Sequence, residues 1–222
     1  MKITVRISSR EAARWDTAAA CQGWDLDPFF AEKEKTQRSM QGVCRGCPVR
    51  LPCLKDVLGY EGGFYMRYGV AGGLTALQRR ALHCEALLGS TPNLEQAAEL
   101  ASPAWASVMT PLRDQGLSPR ETAAELRRGH RVIAAPVTVR VAVWWAGGKG
   151  SVLPGLGREG RFPWELVRDE ARDVVDVLRG LGEGNRGIAA YLGVTTAVLG
   201  KAVHAWRAEA RVLEEQALGV AV

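Results

Sequence analysis

Four of the five cysteines lie close together in the sequence, and their spacing suits a metal or an iron–sulfur centre. Cys44 and Cys47 are separated by two residues, Cys53 follows in the next segment, and Cys21 precedes the group. Two intervening residues let both sulfurs of the pair turn to one centre, and Gly46 permits the tight backbone turn that this requires. In a reducing compartment, clustered cysteines favour such a centre over structural disulfides.

Four thiolates can hold either Zn²⁺ or an iron–sulfur cluster. Zinc sites usually combine two C-x2-C pairs or one such pair with two histidines, whereas this chain has one pair and two single cysteines. The spacing therefore favours an iron–sulfur cluster, with zinc as the alternative. Cys84 lies in a helix-like stretch and is interpreted as a small buried residue. Cys84 or His83 in place of one of the four ligands is the second alternative.

Composition describes a globular chain with a mild positive charge. Of its 222 residues 47% are hydrophobic and 24% charged, which excludes collagen-like, mucin-like and fully disordered classes. No run of 18 apolar residues and no signal-peptide apolar region is present, so we expect a soluble cytoplasmic protein without a membrane span. The net charge is +5, divided +4, +2 and −1 over residues 1–90, 91–157 and 158–222. Nucleic-acid binding must therefore depend on local arginine clusters.

The residues around the cysteines follow a distinctive order. Trp15-Asp16 precedes Cys21, Asp27-Pro28-Phe29-Phe30 follows it, and C-R-G-C-P-V-R at 44–50 precedes G-V-A-G-G-L-T at 69–75 and Arg79-Arg80. This order resembles the WhiB-like family of actinobacterial and actinophage transcriptional regulators, over roughly residues 12–88. The resemblance implies a four-helix module around an oxygen- or nitric-oxide-sensitive [4Fe–4S] cluster. It also implies action in transcription, often by docking on the C-terminal region of the primary sigma factor. The implied cluster ligands are Cys21, Cys44, Cys47 and Cys53.

One position departs from the family pattern. Ala71 stands where the family's glycine turn usually has a tryptophan that helps contact the sigma factor. The glycines of the turn are retained, so we expect the turn itself to form. Phe29 and Phe30 are expected to supply apolar bulk beside the cluster, because solvent exposure affects cluster potential and lability. Basic residues that could meet phosphates or acidic partner residues are Arg67, Arg79 and Arg80.

The C-terminal part contains an internal repeat. Residues 112–126 align without gaps to residues 178–192 at an offset of 66, and Ala142-Val143 aligns with Ala202-Val203 at an offset of 60. The second copy is typical of a helix-turn-helix, with a first helix at 185–192, a turn at Gly193-Val194 and a recognition helix at 197–207. Thr195 or Thr196 is the expected N-cap. A supporting helix is predicted at 163–181.

The first copy begins with a strong helix start, Ser118-Pro119 with Glu121 at the third helical position. A stretched turn follows, and a second helix is predicted at 136–145, although its alternating valines also fit a strand. Either copy could instead be a purely structural or protein-binding bundle. The residues predicted to contact DNA are the basic patch Arg127, Arg128, His130 and Arg131 of the first copy, and Thr195, Thr196, Lys201, His204 and Arg207 of the second.

The sequence thus predicts an all-α protein. A WhiB-like iron–sulfur module at 1–90 precedes one helix-turn-helix-like unit at 91–146, a flexible glycine-rich linker at 147–160 and a second unit at 161–222. The leading hypothesis is a transcriptional regulator whose cluster responds to redox or nitric oxide and alters affinity for sigma factor or DNA. Alternatives are a thiol–disulfide reductase that uses Cys44 and Cys47 without the cluster, and a zinc-stabilised DNA-binding protein. No catalytic constellation is apparent, so we predict that it is not an enzyme.

Overall fold

The computed structural model describes residues 16–61, 67–148, 150–153, 156 and 162–217. Trp15 lies outside these residues, as does part of the segment predicted to be a linker. The described fold is almost entirely helical, which confirms the predicted all-α class. Its β-structure is one two-stranded antiparallel hairpin.

The described residues of the N-terminal part start with two short 3₁₀ turns, and those after them form three α-helices and the hairpin. Thr75 starts the third helix with a capping box, because its hydroxyl accepts from the Gln78 N–H and the Gln78 side chain accepts from the Thr75 N–H. The elements are the 3₁₀ turns Asp16–Ala18 and Asp27–Phe30, α1 (Glu34–Arg45), α2 (Arg50–Tyr60), β1 (Val70–Ala71), β2 (Leu74–Thr75) and α3 (Ala76–Leu87).

The predicted glycine turn closes the hairpin. Val70 pairs with Thr75 and Ala71 with Leu74, which leaves Gly72 and Gly73 as a two-residue loop. Both glycines have positive φ, 56° and 77°. A two-residue hairpin turn of the favoured primed type needs this backbone geometry, and glycine adopts it without a steric penalty.

The first repeat copy packs as helices throughout. Ser118 and Glu121 form the predicted capping box. The valine-rich segment is a helix, as the repeat predicts, and every residue from Val137 to Trp145 is buried. A helix that is apolar all round is stable only when it is surrounded by other elements. The helices are α4 (Leu94–Leu100), α5 (Ala106–Asp114), α6 (Pro119–His130) and α7 (Pro136–Trp145).

The second copy has the predicted helix pair, with one correction before it. The single supporting helix predicted at 163–181 is wrong, because the chain breaks into two helices at Ala171, where φ is −123°. No glycine or proline marks this break in the sequence. The Thr195 hydroxyl accepts from the Val198 N–H at the start of the last helix. The helices are α8 (Pro163–Glu170), α9 (Arg172–Gly180), α10 (Asn185–Leu192) and α11 (Thr196–Ala217).

Two hydrophobic cores meet at α3. Leu82 of α3 belongs to the first core, together with Leu54 of α2 and Trp145 of α7. Cys84 of the same helix belongs to the second core, together with Leu192 of α10. Residues on both sides of position 90 therefore share one core, and α3 is the element common to the two.

The segment predicted to be a flexible linker is packed wherever the structure describes it. The Gly150 carbonyl accepts from Arg140 Nε at 2.8 Å, and the Ser151 hydroxyl donates to the Leu192 carbonyl at 2.8 Å. Leu153 is 4% exposed within the second core. The flexible interpretation is therefore wrong for these residues, because backbone and side-chain bonds tie them to α7 and α10. Positions 149, 154, 155 and 157–160 lie outside the described residues.

Among the described helices, none is both long and apolar enough to cross a membrane alone. The helices α10 and α11 pass that test only as a pair, bent by 104° at the turn between them.

Candidate functional site

The first described turns, the end of α1 and the start of α2 bring the four clustered cysteines together. Cys44 lies in the last turn of α1, Cys47 follows in the connection, and Cys53 lies in the first turns of α2. The Ala20 N–H donates to Cys47 Sγ at 3.4 Å, which places the neighbouring Cys21 beside the C-x2-C pair. The structure thus joins the distant Cys21 to the group that the sequence identified, with all four thiols free.

The thiols affect one another's ionisation. The pKa of Cys44 is raised to about 11, chiefly by burial and with smaller contributions from the charges of Cys53, Cys47 and Cys21. Burial also raises the pKa of Cys53, with smaller contributions from Cys21 and Cys47. Both shifts disfavour the thiolate forms of Cys44 and Cys53, and a bound cation or cluster would stabilise those forms.

The glycine turn supplies hydrogen-bond donors to two of these sulfurs. The backbone N–H of Gly73 donates to Cys44 and that of Gly72 to Cys53, and each bond lowers the pKa of its thiol. Gly72 reaches this position only without a side chain, because a Cβ there would lie 2.5 Å from the Leu54 Cβ. Hydrogen bonds to the ligand sulfurs and burial both affect the reduction potential of iron–sulfur clusters.

Four thiols are a donor set for either a zinc ion or an iron–sulfur cluster. Among the described residues, no three or more His, Cys, Asp or Glu side chains are arranged to hold one metal ion. A single zinc ion draws its thiolates within about 2.3 Å of one centre. A four-iron cube holds its ligands further apart, since each sulfur binds a different iron atom. The all-thiol donor set is compatible with the [4Fe–4S] cluster that the resemblance implies and with a four-cysteine zinc site.

Apolar side chains cover one side of the thiols. Phe29 is buried with Cys44 and Val70, while Met40 and Val43 pack against them. Phe29 therefore has the predicted place beside the site. Phe30 does not join this cluster, because its ring is 62% exposed.

Cys84 stands apart from the site. It is fully buried in the second core, where its sulfur lies 3.7 Å from the Gly187 carbonyl oxygen of α10. Burial raises its pKa to about 12. This position confirms the interpretation of Cys84 as a small buried residue.

The predicted contact role of Arg79 is wrong. Its side chain is fully buried, and its guanidinium donates to the Glu61 carboxylate and to the backbone carbonyls of Tyr68, Gly69 and Leu74. These bonds hold the hairpin to the end of α2, and no donor of this side chain is directed at a phosphate.

The neighbouring arginines are buried as well. Arg80 is 6% exposed and Arg67 is 4% exposed, and Arg67 lies 3.5 Å from the Glu61 carboxylate. Their predicted contact roles are therefore wrong for this conformation. A solvent-facing partner surface must be sought elsewhere in the chain.

The basic residues of the first copy are exposed at the end of α6. Arg127, Arg128 and Arg131 all face solvent, as does His130. Arg128 pairs with Glu125 one turn earlier at 2.6 Å. Arg131 ends the helix with a φ of 56°, the left-handed conformation that commonly terminates helices. These side chains can reach a polyanion, whereas the helix that follows them is buried.

The two copies of the repeat differ in what they expose. In the second copy, the start and one face of α11 are open to solvent, including Thr195, Thr196, Lys201, His204 and Arg207. The corresponding helix of the first copy, α7, is buried over nearly its whole length. Of these two corresponding helices, α11 is the one with a face open to solvent.

Sequence reasoning missed one contact of the site. Trp145, the last residue of α7, donates its indole N–H to the Gly72 carbonyl at 2.8 Å. The Arg50 guanidinium stacks over the same indole, 4.3 Å from its centroid. Nothing in the sequence of the valine-rich helix or of the glycine turn indicates that these two elements are in contact.

Comparison with known proteins finds relatives of the N-terminal part of the chain. The family model described as Transcription factor WhiB matches residues 15–82. Transcriptional regulator WhiB2 of Mycolicibacterium smegmatis is 36% identical over 72 residues, which are 32% of this chain and 53% of that protein. Transcriptional regulator WhiB2 of Mycobacterium tuberculosis is 36% identical over 69 residues, which are 31% of this chain and 73% of that protein. Transcriptional regulator WhiB4 of M. tuberculosis is 36% identical over 76 residues, which are 34% of this chain and 60% of that protein.

The chain belongs to the WhiB family. It spans about half the length of the M. smegmatis relative, and the family model ends at residue 82. No solved structure matches the chain significantly.

Proposed function

We propose that this protein is a transcriptional regulator that binds a [4Fe–4S] cluster through Cys21, Cys44, Cys47 and Cys53. The single observation that carries the proposal is the convergence of four free thiols under two glycine N–H donors. The similarity to WhiB2 and WhiB4, which are named as transcriptional regulators, supports the transcriptional role. We place the protein in the cytoplasm, where thiols stay reduced.

When bound, the cluster supplies a centre that reacts with oxidants or nitric oxide. The chain's own residues determine how exposed that centre is. Phe29 excludes water from the side of Cys44, and the Gly72 and Gly73 N–H groups stabilise sulfur charge. The pairing of Arg79 with Glu61 fixes the hairpin that carries these donors. A change in ligation at Cys44 or Cys53 therefore acts directly on the hairpin.

The DNA surface of this proposal is the exposed face of α11. Thr196, Lys201 and Arg207 are its contact residues, and Arg127, Arg128 and Arg131 are a second phosphate-binding group on α6. The buried α7 has no place at the DNA. The primary sigma factor is the further partner of this proposal. The aromatic side chains beside the hairpin that could take the place of the family tryptophan are Phe30 and Tyr68, both exposed.

Anaerobic purification tests the cofactor. We expect a brown protein with about four iron and four sulfide per chain, the content of one such cluster. Serine at any of the four cysteines should remove most of the iron, whereas Cys84→Ser, a matched control in the second core, should retain it. A colourless protein that carries zinc would support the zinc-stabilised alternative. Turnover of a disulfide substrate by the metal-free protein would support the reductase.

Salt-dependent DNA binding tests the partner. Replacing Lys201 or Arg207 by glutamine should weaken binding and reduce the slope of log affinity against log salt by about one for each phosphate that the variant no longer neutralises. Arg172→Gln, an exposed arginine on α9, is the matched control. Equal slopes for all three variants and the wild type would exclude α11 as the DNA surface.

A further inference from the structure

The end of α7 is fixed onto the glycine turn. Trp145 is 3% exposed, and its indole N–H donates to the Gly72 carbonyl at 2.8 Å. Gly73 faces the same ring so closely that a Cβ there would lie 3.0 Å from Trp145 Cδ1. The first repeat copy therefore binds the hairpin through a buried hydrogen bond and direct packing.

The same two glycines lie against the helices that carry the cysteines. Gly72 packs on the residue after Cys53, since a Cβ there would lie 2.5 Å from the Leu54 Cβ, and the Gly73 carbonyl accepts from the Gln41 side chain of α1 at 3.0 Å. Backbone hydrogen bonding from Gly72 and Gly73 also lowers the pKa of Cys53 and of Cys44. Movement of either sulfur therefore moves the peptide units on which Trp145 is held. In space, the backbone of Gly72 and Gly73 lies between the cysteine site and Trp145 of the C-terminal part.

Arg50 forms a second connection between the same partners. Its guanidinium stacks on Trp145 at 4.3 Å, and it lies within electrostatic range of Cys44 and Cys47. The cation is thereby held on the aromatic ring, where negative charge on the two sulfurs acts on it electrostatically. Ligation favours this position, because a positive charge beside anionic ligands is stabilising.

One buried side chain connects α7 to the second repeat copy, whereas most of the helix packs on α4 and α6. Arg140, earlier on this helix, is fully buried and donates to the carbonyls of Tyr191 and Gly150 and to the Glu85 carboxylate. Tyr191 lies on α10, the first helix of the pair that ends in the exposed α11. This helix thus contacts the cysteine-site hairpin through Trp145 and the helix-turn-helix unit through Arg140.

We propose that α7 couples the state of the four cysteines to the second helix-turn-helix unit. Ligation orders the Gly72-Gly73 turn, the turn holds Trp145, and α7 holds α10 through Arg140. The coupling is reciprocal, so the docked Trp145 also slows loss of the bound group. This inference rests on the proposed function, because it requires a group that the cysteines bind and release.

The test compares Trp145→Phe with the wild type in the full chain. Phenylalanine keeps an aromatic ring and removes the N–H that Gly72 accepts. Trp105→Phe is the matched control, since Trp105 belongs to the same repeat copy and packs on His130 instead. Two quantities are measured: the rate at which visible absorbance is lost to a chelator, and hydrogen exchange of α7 and α10 in loaded and metal-free protein.

We expect Trp145→Phe to lose the bound group about fivefold faster, the factor that corresponds to one hydrogen bond. In the wild type and in Trp105→Phe, metal removal should increase exchange in α7 and α10. In Trp145→Phe this difference between the loaded and metal-free forms should shrink.

Each alternative outcome has its own meaning. Wild-type protein that takes up no iron would defeat the proposed function, and this inference with it. Wild-type protein that takes up iron but shows identical exchange in α7 and α10 with and without metal would overturn the coupling alone. An unchanged rate of absorbance loss in Trp145→Phe would overturn the stabilising role of the tryptophan.

Discussion

Arg140 and Glu85 form an ion pair of 3.1 Å in which the two side chains are 1% and 11% exposed. The pair joins α7 to α3 at the point where the two cores meet. The guanidinium also stacks against the rings of Trp144 and Tyr191, at 4.7 Å and 5.3 Å from their centroids. Burial raises the pKa of Glu85, and the neighbouring Arg140 opposes that increase. Each charge therefore depends on the other to be tolerated in the interior.

Replacing Arg140 by methionine should lower the free energy of unfolding by about 3–5 kcal/mol, because Glu85 would be left without its buried partner. Urea unfolding of the metal-loaded protein measures the change. Adding Glu85→Leu to this variant should recover part of the loss, since the unpaired carboxylate is then removed as well. Strictly additive losses in the double variant would show that the two residues do not act as a pair.

Arg79 should behave as a structural residue and not as a contact to DNA. Lysine at this position cannot reproduce bonds to a carboxylate and three carbonyls, so we expect a lower melting temperature. The salt dependence of DNA binding by the folded Arg79→Lys protein should equal that of the wild type. A reduced salt slope without any loss of stability would restore the contact role that the structure contradicts.

The glycine turn should tolerate no side chain at Gly72. Alanine there would carry a positive φ and would lie 2.5 Å from Leu54 Cβ, so we expect a loss of roughly 3 kcal/mol or more in unfolding free energy. Gly23→Ala is the matched control, because Gly23 also has a positive φ but has nothing within 4 Å of a Cβ. Its cost should be only about 1–2 kcal/mol. Equal losses in the two variants would contradict the packing of Gly72 against α2.

The sequence predicted the local features of this fold because those features depend on few residues. The capping box at Ser118, the turn at Gly193 and the helix Asn185–Leu192 each follow from short-range propensities. The break at Ala171 could not be predicted, because it depends on how α8 and α9 pack and not on a glycine or proline.

The cysteine site was predictable in its ligands but not in its surroundings. Cys21 joins the other thiols as the family resemblance implies. The burial of Arg79 depends on Glu61, 18 positions earlier in the chain, and that of Trp145 depends on Gly72, 73 positions earlier. Such pairs leave no local pattern in the sequence. The sequence around an arginine that is buried in the core does not differ recognisably from that around an arginine on the surface.

Cys84 provides a prediction about pH. Burial raises the pKa of this thiol to about 12, whereas an unfolded thiol titrates near about 8.5. The folded protein therefore holds the proton more tightly than the unfolded chain does. The resulting contribution to stability is present below the unfolded pKa and is lost as pH rises towards the folded one.

Between about pH 9 and about pH 11, this one thiol should reduce the free energy of unfolding by about 1 kcal/mol per pH unit. Cys84→Ala removes the titrating group, so its unfolding free energy should fall less steeply over the same range. Urea unfolding of both proteins measures the two slopes, and other residues that titrate in this range contribute equally to both. Parallel curves for the two proteins would mean that the thiol ionises inside the folded core as easily as in water. The close packing of Cys84 against Gly187 of α10 argues against that result, because it leaves the thiolate no access to solvent.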